Sequence, residues 1–304
     1  MAEAAHAPTR CGFIALIGAP NAGKSTLVNA LVGTKVAIVT PKVQTTRALV
    51  RGIAMADGAQ LVLVDTPGIF EPRRRLDRAM VTTAWGGARD ADIVGVLIDA
   101  KQGLDTEAAA ILDRLHEIHR PKVLILNKVD LVEKTSLLQL ASKSNEKATF
   151  EATFMISALS GEGVDDLKRW LAARVPEGPW HFPPDEVSDA PLRMFAAEIT
   201  REKLYLMLHQ ELPYQSTVET ERWEERPDGS VRIEQTIYVE REGQRKIVLG
   251  KGGRTIKSIG EAARKEMSEL LERRVHLFLF VKVRKDWGED PERYRQMGLE
   301  YPKD

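Results

Sequence analysis

Cysteine is almost missing from this 304-residue chain: Cys11 stands alone, so no internal disulfide can form and a reducing compartment fits. Aromatic residues are sparse at 6%, and net charge is zero because Lys plus Arg and Asp plus Glu both number 44. The overall balance therefore names no partner. No apolar run approaches the roughly 20 residues of a membrane-spanning helix, and His276 to Val283 is only strand-length. Met1 to Gly12 is small and polar with no apolar core, unlike a signal peptide. The expected compartment is the cytoplasm, with any membrane contact peripheral. What is present, 43% apolar and 29% charged residues, is the mix of a folded protein long enough for two domains.

The first half alternates short Val/Ile/Leu runs with helical stretches. Phe13 to Ile17, Gln60 to Val64, Ile93 to Ile98, Lys122 to Leu126 and Thr153 to Ile156 read as strands buried on both faces, as in a parallel sheet. Helical segments such as Thr106 to His119 and Val164 to Arg174 lie between them. This alternation predicts a doubly wound, mostly parallel α/β domain over residues 1–176.

Pro176, Pro179, Pro183, Pro184 and Pro191 then fall among polar residues. Proline stops helices and cannot donate within a sheet, so 177–191 reads as a stiff linker. Beyond it, residues 192–304 read as a smaller α+β domain. A helix is expected over Leu192 to Glu211, and strands over Ser216 to Trp223 and Ser230 to Glu240 around the turn Pro227-Asp228-Gly229. A Gly-rich loop, a helix over Thr255 to Glu272 and a strand over Val275 to Val283 follow.

Chemistry is concentrated at the ends of the first-half strands. Gly18, Ala19, Pro20, Asn21, Ala22, Gly23, Lys24 and Ser25 fit a phosphate-binding loop, placed after a strand and opening a helix from Thr26 to Val32. Its glycines let backbone N–H groups curl around phosphate oxygens at the positive end of that helix. Lys24 is expected on the β and γ phosphates, and the Ser25 hydroxyl on Mg²⁺. Asp65-Thr66-Pro67-Gly68 follows a strand about forty residues after Lys24. Asp65 is placed to hold the metal's water shell, and the Gly68 N–H to sense a γ-phosphate. Alone, such a tetrapeptide is a common turn; its position carries the assignment.

Asn127-Lys128-Val129-Asp130 closes another strand. The Asp130 carboxylate can accept from guanine N1–H and the 2-amino group together, which adenine cannot supply. Asn127 would fix the loop, the Lys128 stem would cover the ring, and Ser157-Ala158-Leu159 offers a backbone N–H to guanine O6. The loop Lys35 to Arg51 contains Gln44-Thr45-Thr46-Arg47. A hydroxyl there, Thr46 in preference to Thr45, could join the Mg²⁺ shell only with γ-phosphate present, making an order–disorder switch. The bland alternative is two solvated loop threonines. The site thus reads as one for GTP and GDP, with GTP hydrolysed.

Together these residues resemble the translation-factor-like GTPases and, within them, the Era family. In the second half Gly250-Lys251-Gly252-Gly253 resembles the Gly-x-x-Gly loop of a KH RNA-binding domain. Residues Arg241 to Lys285 carry 13 basic and 5 acidic side chains, which favours phosphate contact there. Lys251, Arg254 and Lys257 are expected on phosphates. Ile247, Val248, Ile256 and Ile259 either floor a base-binding groove or belong to the core.

The resemblance implies a monomeric GTPase that binds the 3′ end of small-subunit ribosomal RNA and assists small-subunit assembly, with some peripheral membrane association. Ile69 stands where signalling GTPases carry a water-orienting glutamine, so intrinsic hydrolysis should be slow. Asn21 is similar to an asparagine that holds K⁺ in some related GTPases; equally, it could only cap its loop. A competing reading is a GTPase regulating a protein or membrane target, its second domain a docking module.

Overall fold

Near-continuous β-branched and leucine runs need cover on both faces, and a doubly wound sheet supplies it. The computed structural model describes residues 9–42, 45–208, 212–285 and 289–302. Its contacts divide the chain into two units: residues 1–37, 46–189 and 297–304, and residues 38–45 with 190–296.

The first unit holds β1 (Arg10–Gly18), α1 (Lys24–Val32), β2 (Val50–Ala56), β3 (Ala59–Asp65), α2 (Arg75–Asp90), β4 (Ile93–Asp99), α3 (Thr106–Arg114), β5 (Lys122–Asn127), α4 (Lys134–Lys147), β6 (Ala152–Ile156) and α5 (Val164–Ala172). The sheet order is β2-β3-β1-β4-β5-β6, with every pairing parallel except β2 against β3. Chain direction across the sheet reverses at β1, and in such folds ligands bind in the crevice outside the carboxyl ends of the strands there. One core, including Ile14, Leu16, Leu27, Leu63 and Leu167, lies on one face. A second, including Ile17, Val96, Ile98, Trp85 and Leu126, lies on the other.

The Pro-rich segment is more than a spacer. Gln60, fully buried, accepts at Oε1 from the His181 and Phe182 N–H groups at 2.9 and 3.0 Å and donates to the Phe182 carbonyl at 2.8 Å. The Ile53 N–H donates to the Val187 carbonyl at 2.9 Å, and Arg51 pairs with Asp189 at 2.7 Å. Residues 177–189 therefore form a strap along the edge of the first unit, docked by hydrogen bonds that prolines leave to their neighbours.

The second unit holds α6 (Leu192–Met207), β7 (Ser216–Glu225), β8 (Val231–Val239), α7 (Glu242–Leu249), α8 (Arg254–Leu270), β9 (Val275–Val283) and α9 (Pro291–Gln296). Strands β7 and β8 form an antiparallel hairpin, and β9 joins β8 in parallel. The hairpin turns at Gly229, whose φ of 78° suits glycine, with Asp228 accepting from the Ser230 N–H at 3.0 Å. Ile259, Ala263 and Met267, four residues apart, form the buried face of α8. No described helix is long and apolar enough to cross a membrane.

Candidate functional site

Five parallel strands ending on one side of the sheet bring the motifs together. Gly23, with φ 100°, lies directly before α1, and a Cβ there would stand 2.1 Å from Asn127 Nδ2. Only glycine fits. The leading N–H groups of α1 have no intrahelical partner, so Lys24, Ser25 and Thr26 present donors and a positive dipole end to an anion. Gly68 closes on the same loop: a Cβ there would lie 2.9 Å from the Pro20 backbone, and the next N–H, of Ile69, donates to the Gly18 carbonyl at 3.0 Å.

Lys24 is 6% exposed, and its ammonium donates to the carbonyls of Gly18 and Ala19 at 3.0 and 2.9 Å. Burial lowers its pKa to about 8, against the opposing charge of Asp65. Asp65 is fully buried; burial raises its pKa to about 6, against a hydrogen bond from Ser25 and the charge of Lys24. Ser25 Oγ donates to Asp65 Oδ2 at 2.7 Å, Thr46 Oγ1 lies 2.9 Å from Ser25 Oγ, and it donates to the same Oδ2 at 3.2 Å. The other oxygen, Oδ1, is buried without a hydrogen-bond partner among the described residues. Three hard oxygen donors and an unpaired carboxylate oxygen are the environment a magnesium ion with its waters requires.

Thr45 is engaged elsewhere, donating to the Lys42 carbonyl and lying 2.7 Å from Thr40 Oγ1. Gln44 lies outside the described residues. Ile69 is 7% exposed and joins the core with Ile17 and Ala19, so its side chain cannot orient a water.

At the base end, Asn127 Nδ2 donates to the Ala22 carbonyl at 2.8 Å, and its Oδ1 accepts from the Ala158 N–H at 2.9 Å. One amide thereby ties the phosphate loop to the β6 loop. Ser157 N–H is also engaged, donating to the Glu162 carbonyl at 3.0 Å, and Leu159 is 86% exposed. Lys128 adopts φ 67° and lies across the phosphate loop, its ammonium on the Asn21 carbonyl at 2.7 Å and on Asp99 at 2.6 Å. The exposed Asp130 carboxylate follows in a short 3-10 turn. Asn21, with φ 61°, is exposed.

Two contributors escape motif reading. Asp99, at the end of β4, holds Lys128 in place; a lone strand-end carboxylate was its only signal. Asn29 on α1 accepts from the N–H groups of Val36 and Ala37 at 2.9 Å each and donates to the Ala37 carbonyl at 2.8 Å, anchoring the start of the switch loop.

In the second unit the loop Gly250 to Gly253 joins α7 to α8, with Gly250, Gly252 and Gly253 all at positive φ. A Cβ on Gly250 would lie 2.1 Å from Thr255 Oγ1. Lys251, Gly252, Arg254 and Lys257 are exposed. Val248 and Ile259 are fully buried and belong to the core, whereas Ile247 is 58% exposed beside the loop and Ile256 is half-buried.

Residues 13–128 match the family model described as 50S ribosome-binding GTPase, and residues 211–288 match that of the KH domain. GTPase Era of Afipia carboxidovorans is 68% identical over 302 residues, covering 99% of this chain and 98% of that protein. GTPase Era of Brucella suis is 69% identical over 294 residues, covering 97% and 94%. A crystal structure of an Aquifex aeolicus Era variant bound to GDP·AlF4⁻ superposes with TM-score 0.90 at 36% identity, over 95% of this chain and 99% of that one. Era in complex with MgGDPNP and nucleotides 1506–1542 of 16S ribosomal RNA matches with the same score, identity and coverage. With two-thirds of its residues shared along nearly its full length, the chain belongs to the Era family of GTPases.

Proposed function

We propose that this GTPase binds the 3′ end of small-subunit ribosomal RNA through its second unit and acts in small-subunit assembly in the cytoplasm. The observation that carries it is the exposed, glycine-turned loop Gly250 to Gly253 flanked by Lys251, Arg254 and Lys257 in a KH-type unit. A related protein with the same domain pair binds such RNA. Titration with a 3′-terminal small-subunit RNA and with a scrambled RNA of equal length tests this reading. Tight binding to the first alone supports it; equal binding to both removes the sequence recognition and leaves only charge.

At the nucleotide, Gly18 to Ser25 would cradle the phosphates, with Lys24 placing its cation on the β and γ oxygens. Ser25, Thr46 and Asp65 would hold Mg²⁺, which supplies charge neutralisation at the phosphates. Asn127, Lys128 and Asp130 would seat guanine, with Leu159 and its neighbours Ser157 and Ala158 at the O6 edge. Gly68 would donate its N–H to the γ-phosphate. Asp65 must be ionised to hold the metal shell, so protons compete below its pKa of about 6. With Lys24 protonated below its pKa of about 8, affinity for Mg²⁺-GTP should therefore be level from about pH 7.5 to pH 6.5 and fall below pH 6 by up to about tenfold per unit. A flat profile down to about pH 5 would contradict the assignment of Asp65.

We also propose K⁺ at Asn21. With Ile69 buried, a monovalent cation beside the β–γ bridge is a substitute for a side-chain stabiliser. Turnover should be faster in K⁺ than in Na⁺, and Asn21→Ala should erase the difference. Equal turnover of the parent in both salts removes the cation site and leaves Asn21 as a loop residue.

A further inference from the structure

Asp99 ends β4 directly across the sheet from the base-reading turn. It pairs with Asn127 in the β4–β5 register, and the next N–H, of Ala100, donates to the Asn127 carbonyl at 2.8 Å. Asp99 is only 8% exposed, and both of its carboxylate oxygens are engaged. Oδ1 accepts from the Lys101 N–H at 2.9 Å, and Oδ2 accepts from the Lys128 ammonium at 2.6 Å. The Asp99 carbonyl accepts from the Gln102 and Gly103 N–H groups at 3.1 and 2.9 Å. A strand on one side and a tight turn on the other leave this carboxylate one direction to point.

Lys128 has use for a fixed partner. Its backbone is left-handed, at φ 67° and ψ 39°, a state that a Cβ disfavours. Asn21, whose carbonyl takes the same ammonium at 2.7 Å, is left-handed too, at φ 61°. Four described residues other than glycine have positive φ, and this bonded pair makes up two of them. Strained backbone at a binding site persists only where its neighbours hold it. The Asn21 carbonyl alone would let the ammonium swing about a single neutral acceptor. The charged oxygen of Asp99 adds a second and stronger one, and the two together fix the four-carbon stem.

We propose that Asp99 is a positioning residue for Lys128 and thereby sets how long a guanine nucleotide stays bound. The inference rests on the reading of Lys128 as the cover of the guanine ring. A flexible lysine stem loses rotamer freedom when it is laid against a ring. Asp99 fixes that stem through the fold, so binding does not bear the ordering cost. The contact acts at the base, which GTP and GDP share, so both gain from it alike. The competing reading is that Asp99 only shapes the β4–α3 turn, through Lys101.

Dissociation rates of GDP and of a non-hydrolysable GTP analogue, measured with Mg²⁺ on the full chain, separate the two. Asp99→Asn keeps an acceptor for the Lys101 N–H and turns an amide N–H toward the ammonium. It should speed release of both nucleotides about tenfold and leave their ratio within about twofold. Asp99→Glu, which keeps the charge, should recover part of the lifetime. Asp99→Ser, small and uncharged, serves if Asp99→Asn does not fold. Lys128→Ala should speed release at least as much as Asp99→Asn, and adding Asp99→Asn to it should change little more, within about twofold. An Asp99→Asn effect that persists at full size without the Lys128 ammonium would place the role in the turn and overturn the proposal. So would unchanged release in Asp99→Asn beside fast release in Lys128→Ala. If Lys128→Ala itself releases nucleotide as the parent does, the reading of Lys128 fails, and the inference falls with it.

Discussion

Replacing Asp130 by asparagine should turn a site for GTP into one that prefers xanthosine triphosphate. The carboxylate is exposed at the end of β5, in a short turn set by the left-handed backbone of Lys128. It can accept from guanine N1–H and the 2-amino group at once. Asparagine keeps one acceptor and presents a donor where the amino group must also donate. That clash leaves paired polar groups unsatisfied, a kind of mismatch that costs about 10⁴-fold where a site is built around the lost hydrogen bond. Xanthine carries a carbonyl in place of the amine and so matches the new donor. GTP affinity should fall by about a thousandfold, and xanthosine triphosphate affinity should rise above it. The substitution is at the surface, so the melting temperature should barely move. Competition binding with the two nucleotides decides it: a variant that binds GTP as the parent does would show that Asp130 does not read the base.

Replacing Lys251 and Gly252 together by aspartate should remove most of the affinity for single-stranded RNA. Both positions are exposed at the tip of the α7–α8 loop. Two carboxylates would stand where phosphates approach. Gly252 also sits at φ 64°, a backbone state that a Cβ disfavours, although asparagine and aspartate tolerate it better than most residues. With Lys251, Arg254 and Lys257 as phosphate contacts, parent binding should weaken with salt at a log–log slope near about −2. The variant should lose at least about tenfold in affinity and flatten that slope. Phosphate release measured on the same preparation should stay near the parent rate, since no atom of this loop belongs to the nucleotide site. Unchanged RNA affinity would return the basic surface to a solvated face, and the regulation of a protein or membrane target would then be the better account of the second unit.

The five parallel strands and the nucleotide motifs are legible in the sequence because burial on both faces leaves near-continuous apolar runs, and each motif ends such a run. Strand β2 is less visible: Arg51 and Gly52 interrupt it, and it is an edge strand, antiparallel to β3 and bridged at Gly52 to Ser188. Helix α4 buries only Leu137, Leu140 and Ser144, too few to stand out from its polar surroundings. Proline content marks 177–191 as a break in secondary structure, yet nothing in it says that Gln60, distant in sequence, binds the backbone of 181 and 182. The same limit applies to the switch loop. A polar stretch with two threonines looks solvated until Arg201 and Glu202, more than 150 residues later, are found against its backbone. Pairings of that range follow from the fold and leave no local pattern to read.

Crosslinking the full chain, loaded with a non-hydrolysable GTP analogue, to total cellular RNA and sequencing the bound fragments tests the central claim most directly. The reads should concentrate at the 3′ end of small-subunit ribosomal RNA, and crosslinked peptides should include residues 250–257. Reads spread across RNAs in proportion to their abundance, or crosslinks that avoid 250–257, would contradict it.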